Sequence, residues 1–231
     1  MRRGGGGRTK IRLALALSLV GGLALAFVLA QVLLPRIAAS RISSRVGRYG
    51  KVRSVSVSAW PALELLWGHA DSVRVSAGSL ALSSEQLGSL LWEGRDTSSL
   101  EVSADSVRLG PLLVSDASLA KHAGALSADA LVSEADVKAA LPPGFDVRLL
   151  RSERGEVEVQ ASGGLFGVGA SVNAVAGASE GKLVAHPLGF LIEGLRLTLF
   201  ADPHVYVEGV GASVAGEQPL SYRLSMSARL R

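Results

Sequence analysis

The segment LSYRLSMSARL, residues 220–230, alternates strictly between apolar and polar side chains. Its apolar positions are Leu220, Tyr222, Leu224, Met226, Ala228 and Leu230. Serine or arginine fills every position between them. Because successive side chains of a strand point to opposite faces, the pattern predicts a strand with one dry face and one wet face. Strands of this kind are typical of antiparallel sheets.

The same period of two recurs through much of the chain. Shorter alternating stretches lie at residues 55–59, 73–77, 157–161, 168–176 and 195–199. Two short helices interrupt them, one beginning near Ser84 and one near Ser133, each with a serine at the cap and acidic residues in the first turn. We therefore expect residues 35–231 to form one α+β domain that is mainly antiparallel β with short helices.

Few large side chains are available to fill the space under such a sheet. Aromatic residues make up 5% of the chain, and many inward positions are alanine, valine or glycine. Two interpretations follow. The sheet is thin and packs on its own helices with a filled core, or it is elongated and curled or barrel-like, with an inner face left open for an acyl chain.

An uncharged apolar run, LALALSLVGGLALAFVLAQVLL, occupies residues 13–34. Its 22 residues span roughly 33 Å as a helix with a rise of about 1.5 Å per residue. This length is close to the hydrocarbon thickness of a bilayer, about 30 Å. We predict a transmembrane or signal-anchor helix. A cleaved signal peptide is the alternative, although its apolar stretch usually has only about 7–15 residues.

Basic residues flank the run on both sides, with five in residues 1–12 and six more between residues 36 and 53. The positive-inside rule therefore hardly distinguishes between the two orientations of the apolar run. We expect residues 1–12 to be a basic cytoplasmic tail, because a large C-terminal domain translocates largely regardless of its charge. The predicted location is the cell membrane, single-pass, with residues 35–231 extracytoplasmic, or export if the run is cleaved.

The folded domain is acidic, although the whole chain carries a net charge of +4. Residues 54–231 hold 13 basic and 20 acidic residues. Nucleic acid is excluded as a partner, because its binding needs a basic surface on the folded domain. The arginines after the apolar run either contact anionic head groups, at about 1 kcal/mol each, or form a solvated helix face. They are Arg36, Arg41, Arg45 and Arg48.

No catalytic or metal-binding motif occurs in the sequence. The chain lacks cysteine, which excludes disulfides, lipoprotein attachment and thiol chemistry. Its four histidines are isolated in sequence, and neither a nucleophile-elbow motif nor a phosphate-loop motif occurs. We therefore predict that the protein is not an enzyme and uses no metal and no cofactor.

The tryptophans indicate a different kind of site. Trp60-Pro61 begins a short helix in which Leu63, Leu66 and Trp67 are expected to share a face. Because tryptophan prefers membrane interfaces, this tip either dips into lipid or plugs one end of the fold as core. The sequence favours the plug, with Trp67 the more exposed of the two tryptophans. Candidates for lining a cavity are Phe145, Phe166, Phe190 and Phe200.

The segment VSVSAWPALELLWGHADSVRVSAGSL, residues 55–80, resembles a signature of a mostly actinobacterial family of exported proteins, the LmeA-like phospholipid-binding proteins. The matching positions are Trp60, Pro61, Leu63, Leu66 and Gly68, with Trp60 in place of the usual phenylalanine. Residues 131–141 resemble the family's central short helix, and residues 181–184 match a third motif. The order and spacing of these motifs carry the resemblance.

The resemblance implies an extracytoplasmic, membrane-associated domain that binds phospholipid or glycolipid and is similar in fold to tubular lipid-binding proteins. It implies that the protein handles or senses envelope lipids through an apolar groove, with the bilayer and an envelope-biosynthesis protein as partners. The residues expected to bind lipid are Trp60, Leu63, Leu66, Trp67, Phe166 and Phe190. The alternative is a structural or scaffolding cell-envelope protein with a filled core that binds a membrane enzyme.

Overall fold

Two β-sheets and the helices packed on them make up residues 29–141, 143–165, 168–188 and 196–231, the part of the chain that the computed structural model describes. The helices are α1 (29–46), α2 (Ser84–Glu93) and α3 (Glu134–Ala140), with a 3-10 helix at Ala62–Trp67. The strands are β1 (Gly50–Ser58), β2 (Ala70–Leu82), β3 (Thr97–Leu109), β4 (Leu112–His122), β5 (Ala125–Ser133), β6 (Phe145–Glu153), β7 (Glu156–Leu165), β8 (Val168–Ser179), β9 (Lys182–Leu188), β10 (Leu197–Phe200), β11 (Val205–Glu217) and β12 (Leu220–Leu230).

The larger sheet has seven strands in the order β1-β2-β3-β4-β5-β12-β11, and the smaller has five in the order β10-β9-β8-β7-β6. Among these described strands, all neighbours are antiparallel except β2 and β3, which are parallel. The chain crosses between that parallel pair through α2, because parallel neighbours cannot be joined by a tight hairpin. The predicted mainly antiparallel α+β domain with short helices is confirmed.

The alternation of residues 220–230 separates the two faces of the larger sheet. In β12, Tyr222 and Ala228 are buried, whereas Arg229 is exposed. The pairing continues the buried face across the sheet, since Ala228 pairs with Leu126 of β5 and with Val207 of β11. The hydrophobic core lies on this inner face, beneath α1 and α2.

Serine caps start the two short helices, at Ser133 as predicted and at Ser83, one residue before the predicted Ser84. Ser83 caps α2 in a capping box with Gln86, in which each side chain bonds the other residue's backbone amide. Ser133 caps α3 by accepting a hydrogen bond from the Asp136 amide at 3.1 Å. These bonds satisfy backbone amides that the first turn of a helix leaves without an internal partner.

The smaller sheet meets the larger one at the edge strand β11. In the β6–β7 turn the Gly155 carbonyl accepts a hydrogen bond from the Val210 amide at 2.9 Å. In the β8–β9 turn the Gly181 carbonyl accepts one from the Val207 amide, also at 2.9 Å. Gly181 has a φ of +78°, and a Cβ there would lie 2.4 Å from the Tyr206 ring, so only glycine fits. The turns thus cover an edge that would otherwise be open to pairing.

Within the described ranges neither sheet closes on itself. The larger sheet ends at β1 and β11, and the smaller ends at β10 and β6. The barrel-like form of the predicted fold is therefore wrong. Its physical reason is the position of β11, whose free edge bonds the turns of the smaller sheet and not β1.

The predicted membrane-spanning run lies mostly outside the described residues. Residues 1–28 do not belong to the described ranges, and residues 29–34 lie in the described part of α1. No helix in the described part is both long and apolar enough to cross a membrane. The basic tail at 1–12, the anchor at 13–34 and the extracytoplasmic location stay predictions.

Candidate functional site

An apolar cavity of about 1330 Å³ lies between the inner face of the larger sheet and the helices α1 and α2. It is larger than the about 300–1,000 Å³ typical of pockets for small molecules. The helices line it with Leu34, Ile37, Ala38, Leu87, Leu90 and Leu91. The larger sheet lines it with Val73, Val75, Leu100, Val102, Leu119 and Met226, among others. Its lining also includes Val157, Ala176 and Leu183 of the smaller sheet, so the cavity suits a large apolar ligand.

Small and β-branched side chains leave this space open. One row across the inner face runs through Val75, Val102, Leu119, Ala128 and Met226, from β2 to β12. The helix α1 packs over the β1–β2 side of the sheet, and α2 packs near β5, β11 and β12. The described structure leaves space on the inner face beside the core, which favours the open-face interpretation over the filled core.

A buried lysine holds the C-terminal end of α2 to the sheet. The Lys121 side chain of β4 is 3% exposed. Its ammonium donates hydrogen bonds to backbone carbonyls, those of Gly94 at 3.0 Å, Arg95 at 2.6 Å and Thr97. Carbonyls at the end of a helix favour a cation, both by hydrogen bonding and through the helix dipole. Burial lowers the pKa of Lys121, and the charge of Asp96 opposes that effect.

Further contacts fix the outer side of α2. The Trp92 ring stacks on the His204 ring with 4.3 Å between centroids, and the Arg95 guanidinium lies 4.3 Å from the centre of the Trp92 ring. Asp202, close to His204 in the chain, packs against Gly88. A Cβ at Gly88 would lie 1.9 Å from a carboxylate oxygen of Asp202. This close approach requires glycine, so α2 forms a firmly held wall of the cavity.

Three arginines, two in α1 and one in the turn after it, lie at the edge of the cavity. Arg41, Arg45 and Arg48 line it. Arg41 and Arg45 are one turn apart on α1, and Arg48 lies in the turn that follows the helix. Arg45 forms an ion pair with Glu93 of α2. Arg41 and Arg48 have no ion pair with any described residue. Arg36 is exposed on α1 but does not line the cavity, so the structure brings three of the four predicted head-group residues together.

This arrangement suits an amphiphile with an anionic head. Apolar walls favour hydrocarbon by about 0.8 kcal/mol per buried CH₂. A guanidinium can bind a phosphate through two parallel hydrogen bonds. The acidic residues of the lining are Glu93, which is paired with Arg45, and Asp129 of β5. The exposed guanidinium groups of Arg41 and Arg48 therefore make the edge of the cavity more favourable for an anion than for a cation.

The structure places both tryptophans of the predicted tip on the surface. Trp60 is 73% exposed and Trp67 is 71% exposed, so the two are about equally exposed and the core-plug interpretation is wrong. The segment forms a 3-10 helix, whose three residues per turn bring Ala62 and Leu65 inward instead. Contact of either tryptophan with lipid stays a prediction.

The other residues predicted to bind lipid are not brought together by the described structure. Leu63 and Leu66 belong to the 3-10 helix, but their side chains lie outside the described part. Phe166 and Phe190 also lie outside the described residues. Their contact with lipid stays a prediction.

Sequence reasoning missed the part of the site that α2 contributes. The sequence pattern that could have indicated this part is the helical spacing of Leu87, Leu90 and Leu91, all of which line the cavity. Glu93 and Lys121 were also missed as site residues. Their partners are distant in sequence and are brought close only by the fold.

No metal centre is formed by the residues that the structure describes, because none of their His, Asp and Glu side chains form a group of three or more that could hold an ion. The predictions that the protein uses no metal and no cofactor rest on the sequence.

Comparison with known proteins identifies a family. The family model described as LmeA-like phospholipid-binding matches residues 24–225, which is most of the chain. No curated protein and no solved structure matches the chain. The matched range includes α1, α2 and the strands of both sheets as far as residue 225 in β12, so it contains the cavity lining except Met226. The resemblance read from residues 55–80 is confirmed.

Proposed function

The chain belongs to the LmeA-like phospholipid-binding family, and on that premise we propose that its apolar cavity holds the acyl chains of a phospholipid. The observation that carries this proposal is the cavity of about 1330 Å³ with arginines at its edge. Each methylene group moved from water into such a site contributes about 0.8 kcal/mol. The family is described by what it binds and not by a reaction, which supports a role without catalysis.

The head group of the lipid is placed at Arg41 and Arg48 in this proposal. Both are exposed, line the cavity and have no ion pair with a described residue. Either can donate two hydrogen bonds to one phosphate. Arg45 is already paired with Glu93 and contributes less. The favoured ligand is therefore a phospholipid or glycolipid with an anionic phosphate in its head group.

The protein acts, in this proposal, as a membrane-tethered domain outside the cytoplasm. The apolar run of residues 13–34 supports the tether, since its length matches a bilayer. The tether keeps the cavity close to the membrane from which the lipid is drawn. A role in handling or sensing envelope lipids follows, with an envelope-biosynthesis protein as a possible recipient. The scaffolding alternative with a filled core is disfavoured by the open cavity.

The test compares two neighbouring residues on opposite faces of β3. Val102 lines the cavity, and Ser103 is exposed on the other face. The full chain and its Val102→Glu and Ser103→Glu variants are purified in detergent, and bound phospholipid is extracted and counted per protein. A carboxylate beside the acyl chains is costly, so Val102→Glu should lose most of the lipid that Ser103→Glu retains.

Far-ultraviolet circular dichroism of each variant establishes that the β fold is intact. The proposal fails if folded Val102→Glu retains as much phospholipid as Ser103→Glu. It also fails if the unchanged protein carries no phospholipid beyond the amount bound by a chain truncated after residue 36, which contains only the apolar run and its flanks.

A further inference from the structure

Two large aromatic side chains lie in water at the end of β1. Trp60 is 73% exposed and Trp67 is 71% exposed. The backbone between them is held in place, since Ala62 is fully buried and Leu65 packs in the cluster formed by α1, β1 and β2. Exposed tryptophans on a fixed backbone are typical of surfaces that meet a partner or a membrane.

The helix α1 presents a second apolar surface. Leu29, Val32, Leu33 and Ile37 are each about half exposed, at 51%, 49%, 51% and 50%. Their spacing of three and four residues forms one stripe along a helix. A different side of α1, which includes Ala38 and Ile42, packs on the sheet. The exposed stripe is therefore additional to the surface that holds α1 in the fold.

The two surfaces are joined by a hydrogen bond. The side-chain oxygen of Gln31, near the beginning of the described part of α1, accepts a hydrogen bond from the Ala62 amide at 3.2 Å. Gln31 stands between Leu29 and Val32 in the chain, and Ala62 stands between the two tryptophans. The exposed stripe of α1 and the tryptophans thus lie at the same end of the molecule.

We propose that this end, defined by Trp60, Trp67 and the α1 stripe, docks on the surface of a lipid bilayer. The stripe begins inside the apolar run of residues 13–34 and continues it into the folded domain. Tryptophan is enriched at the level of lipid head groups. Arg36 lies within the stripe, just before Ile37, and Arg41 follows the stripe by about one turn, where their guanidinium groups reach anionic head groups.

The charge of the molecule favours the same orientation. Residues 36–53 hold six basic and no acidic residues, whereas residues 54–231 hold 13 basic and 20 acidic residues. An anionic membrane attracts the first segment and repels the rest. The bilayer is therefore the occupant that complements this end of the molecule in both charge and hydrophobicity.

Docking in this orientation brings the cavity to the membrane. Leu34 and Ile37 of α1, and Leu65 and Gly68 next to the tryptophans, belong to the lining of the cavity. A lipid leaving the bilayer at the docked end meets the cavity without crossing water. This inference goes beyond the proposed function, because the surface can hold the domain on a membrane whatever the cavity binds.

The experiment uses the tryptophans as their own reporters in the full chain, reconstituted in liposomes of neutral and anionic phospholipid. Three single-tryptophan proteins are compared: Trp67→Phe/Trp92→Phe, Trp60→Phe/Trp92→Phe and Trp60→Phe/Trp67→Phe. The last retains Trp92, which stacks on His204 and is the matched control. Phospholipids brominated on their acyl chains quench a tryptophan that lies in the membrane interface.

The proposal predicts that brominated lipid quenches Trp60 and Trp67 about threefold or more strongly than Trp92, because only they lie at the interface. Iodide in the aqueous phase should quench them weakly. The proposal is overturned if iodide quenches them strongly and brominated lipid does not, since they then face water. Protection from both quenchers overturns it too, because a second copy or another protein then covers the surface.

The outcome is independent of the lipid counts for Val102→Glu and Ser103→Glu. If brominated lipid does not quench Trp60 and Trp67 but the protein still carries phospholipid in its cavity, only the docking inference fails. If brominated lipid quenches both tryptophans strongly but the cavity carries no phospholipid, only the proposed function fails. Circular dichroism of the three proteins, compared with the unchanged chain, establishes that each one is folded.

Discussion

The two helices over the cavity are held in different ways. The helix α2 has polar contacts at both ends and close packing in its middle: a capping box at its start, the Asp202 side chain against Gly88, and the Lys121 ammonium on carbonyls at and beyond its end. The helix α1 rests on the sheet by apolar packing, with a hydrogen bond to the 3-10 helix and the Arg45–Glu93 ion pair as polar links. The wall formed by α2 is therefore fixed by polar contacts and close packing, whereas the wall formed by α1 is fixed mainly by apolar packing.

The difference assigns separate roles to the two walls. Hydrogen bonds depend on direction and distance, so they hold α2 in one position on the sheet. Apolar packing does not depend on direction, so we expect the position of α1 on the sheet to be less strictly defined. The exposed apolar stripe lies on α1, and the cavity arginines lie on α1 and in the turn after it. We therefore expect changes at α2 to alter stability and changes at these arginines to alter binding.

Of the changes predicted to separate the two helices, removing the Lys121 ammonium should lower the stability of the protein most. Lys121→Met removes the charged donor of three backbone carbonyls, of which the one of Thr97 is buried and those of Gly94 and Arg95 are partly buried. Hydrogen bonds to charged groups contribute about 1.5–3 kcal/mol each, so the free energy of unfolding should fall by about 3 kcal/mol or more. Urea unfolding of the full chain in mild detergent measures it.

The matched control for this change is Lys182→Met, because Lys182 is an exposed lysine on β9. It should change the unfolding free energy by no more than about 0.5 kcal/mol. Equal stability of the two variants would show that α2 is not anchored by Lys121.

Crowding the middle of α2 should have the next largest effect. Alanine in place of glycine normally stabilises a helix by about 1 kcal/mol. At Gly88 the sign should reverse, because the new Cβ meets the Asp202 carboxylate, and overpacking costs about 1–3 kcal/mol. The double variant Gly88→Ala/Asp202→Ala should lose less than the sum of the single changes. A higher thermal-unfolding midpoint for Gly88→Ala than for the unchanged protein would contradict the close packing of α2 against Asp202.

Changing the two cavity-edge arginines that have no ion pair with a described residue should alter binding and leave stability nearly unchanged. Arg41→Gln/Arg48→Gln removes charged donors from the edge of the cavity. Loss of one such hydrogen bond, worth about 1.5 kcal/mol, lowers affinity about tenfold. Fluorescence titration of the full chain with labelled phosphatidylglycerol measures it. Arg36→Gln is the control, since Arg36 is exposed on the same helix but does not line the cavity; equal losses in both proteins mean that the head group is not held at the cavity edge.

The sequence predicted the faces of the sheet because alternation is a local property. Tyr222 and Ala228 are buried as their positions in the pattern require. The parallel pairing of β2 with β3 was not predictable from the same signal, since a strand alternates identically in parallel and antiparallel neighbours. The open inner face was one of two interpretations, because the pattern shows how small the side chains are but not where the helices settle on them.

The candidate site was predictable only in part, for physical reasons. Arg41 and Arg45 are one turn apart on α1 and Arg48 follows in the next turn of the chain, so their closeness could be predicted from the sequence. The pairing of Arg45 with Glu93 joins residues that meet only in the folded protein. Trp67 was assigned to an apolar helix face because an α-helical period was assumed, whereas the 3-10 helix exposes it. A change of helix type by a fraction of a residue per turn thus reversed its environment.

Photo-crosslinking from the tail of a phospholipid tests most directly whether the cavity holds acyl chains. The full chain is reconstituted in liposomes that contain phospholipid with a diazirine near the end of one acyl chain, then irradiated, digested and analysed by mass spectrometry. Adducts on the inner-face residues Leu100, Val102 and Leu119, together with adducts on the apolar run, are the predicted result. Adducts confined to residues 13–37, with none on β3 or β4, would contradict a lipid-filled cavity.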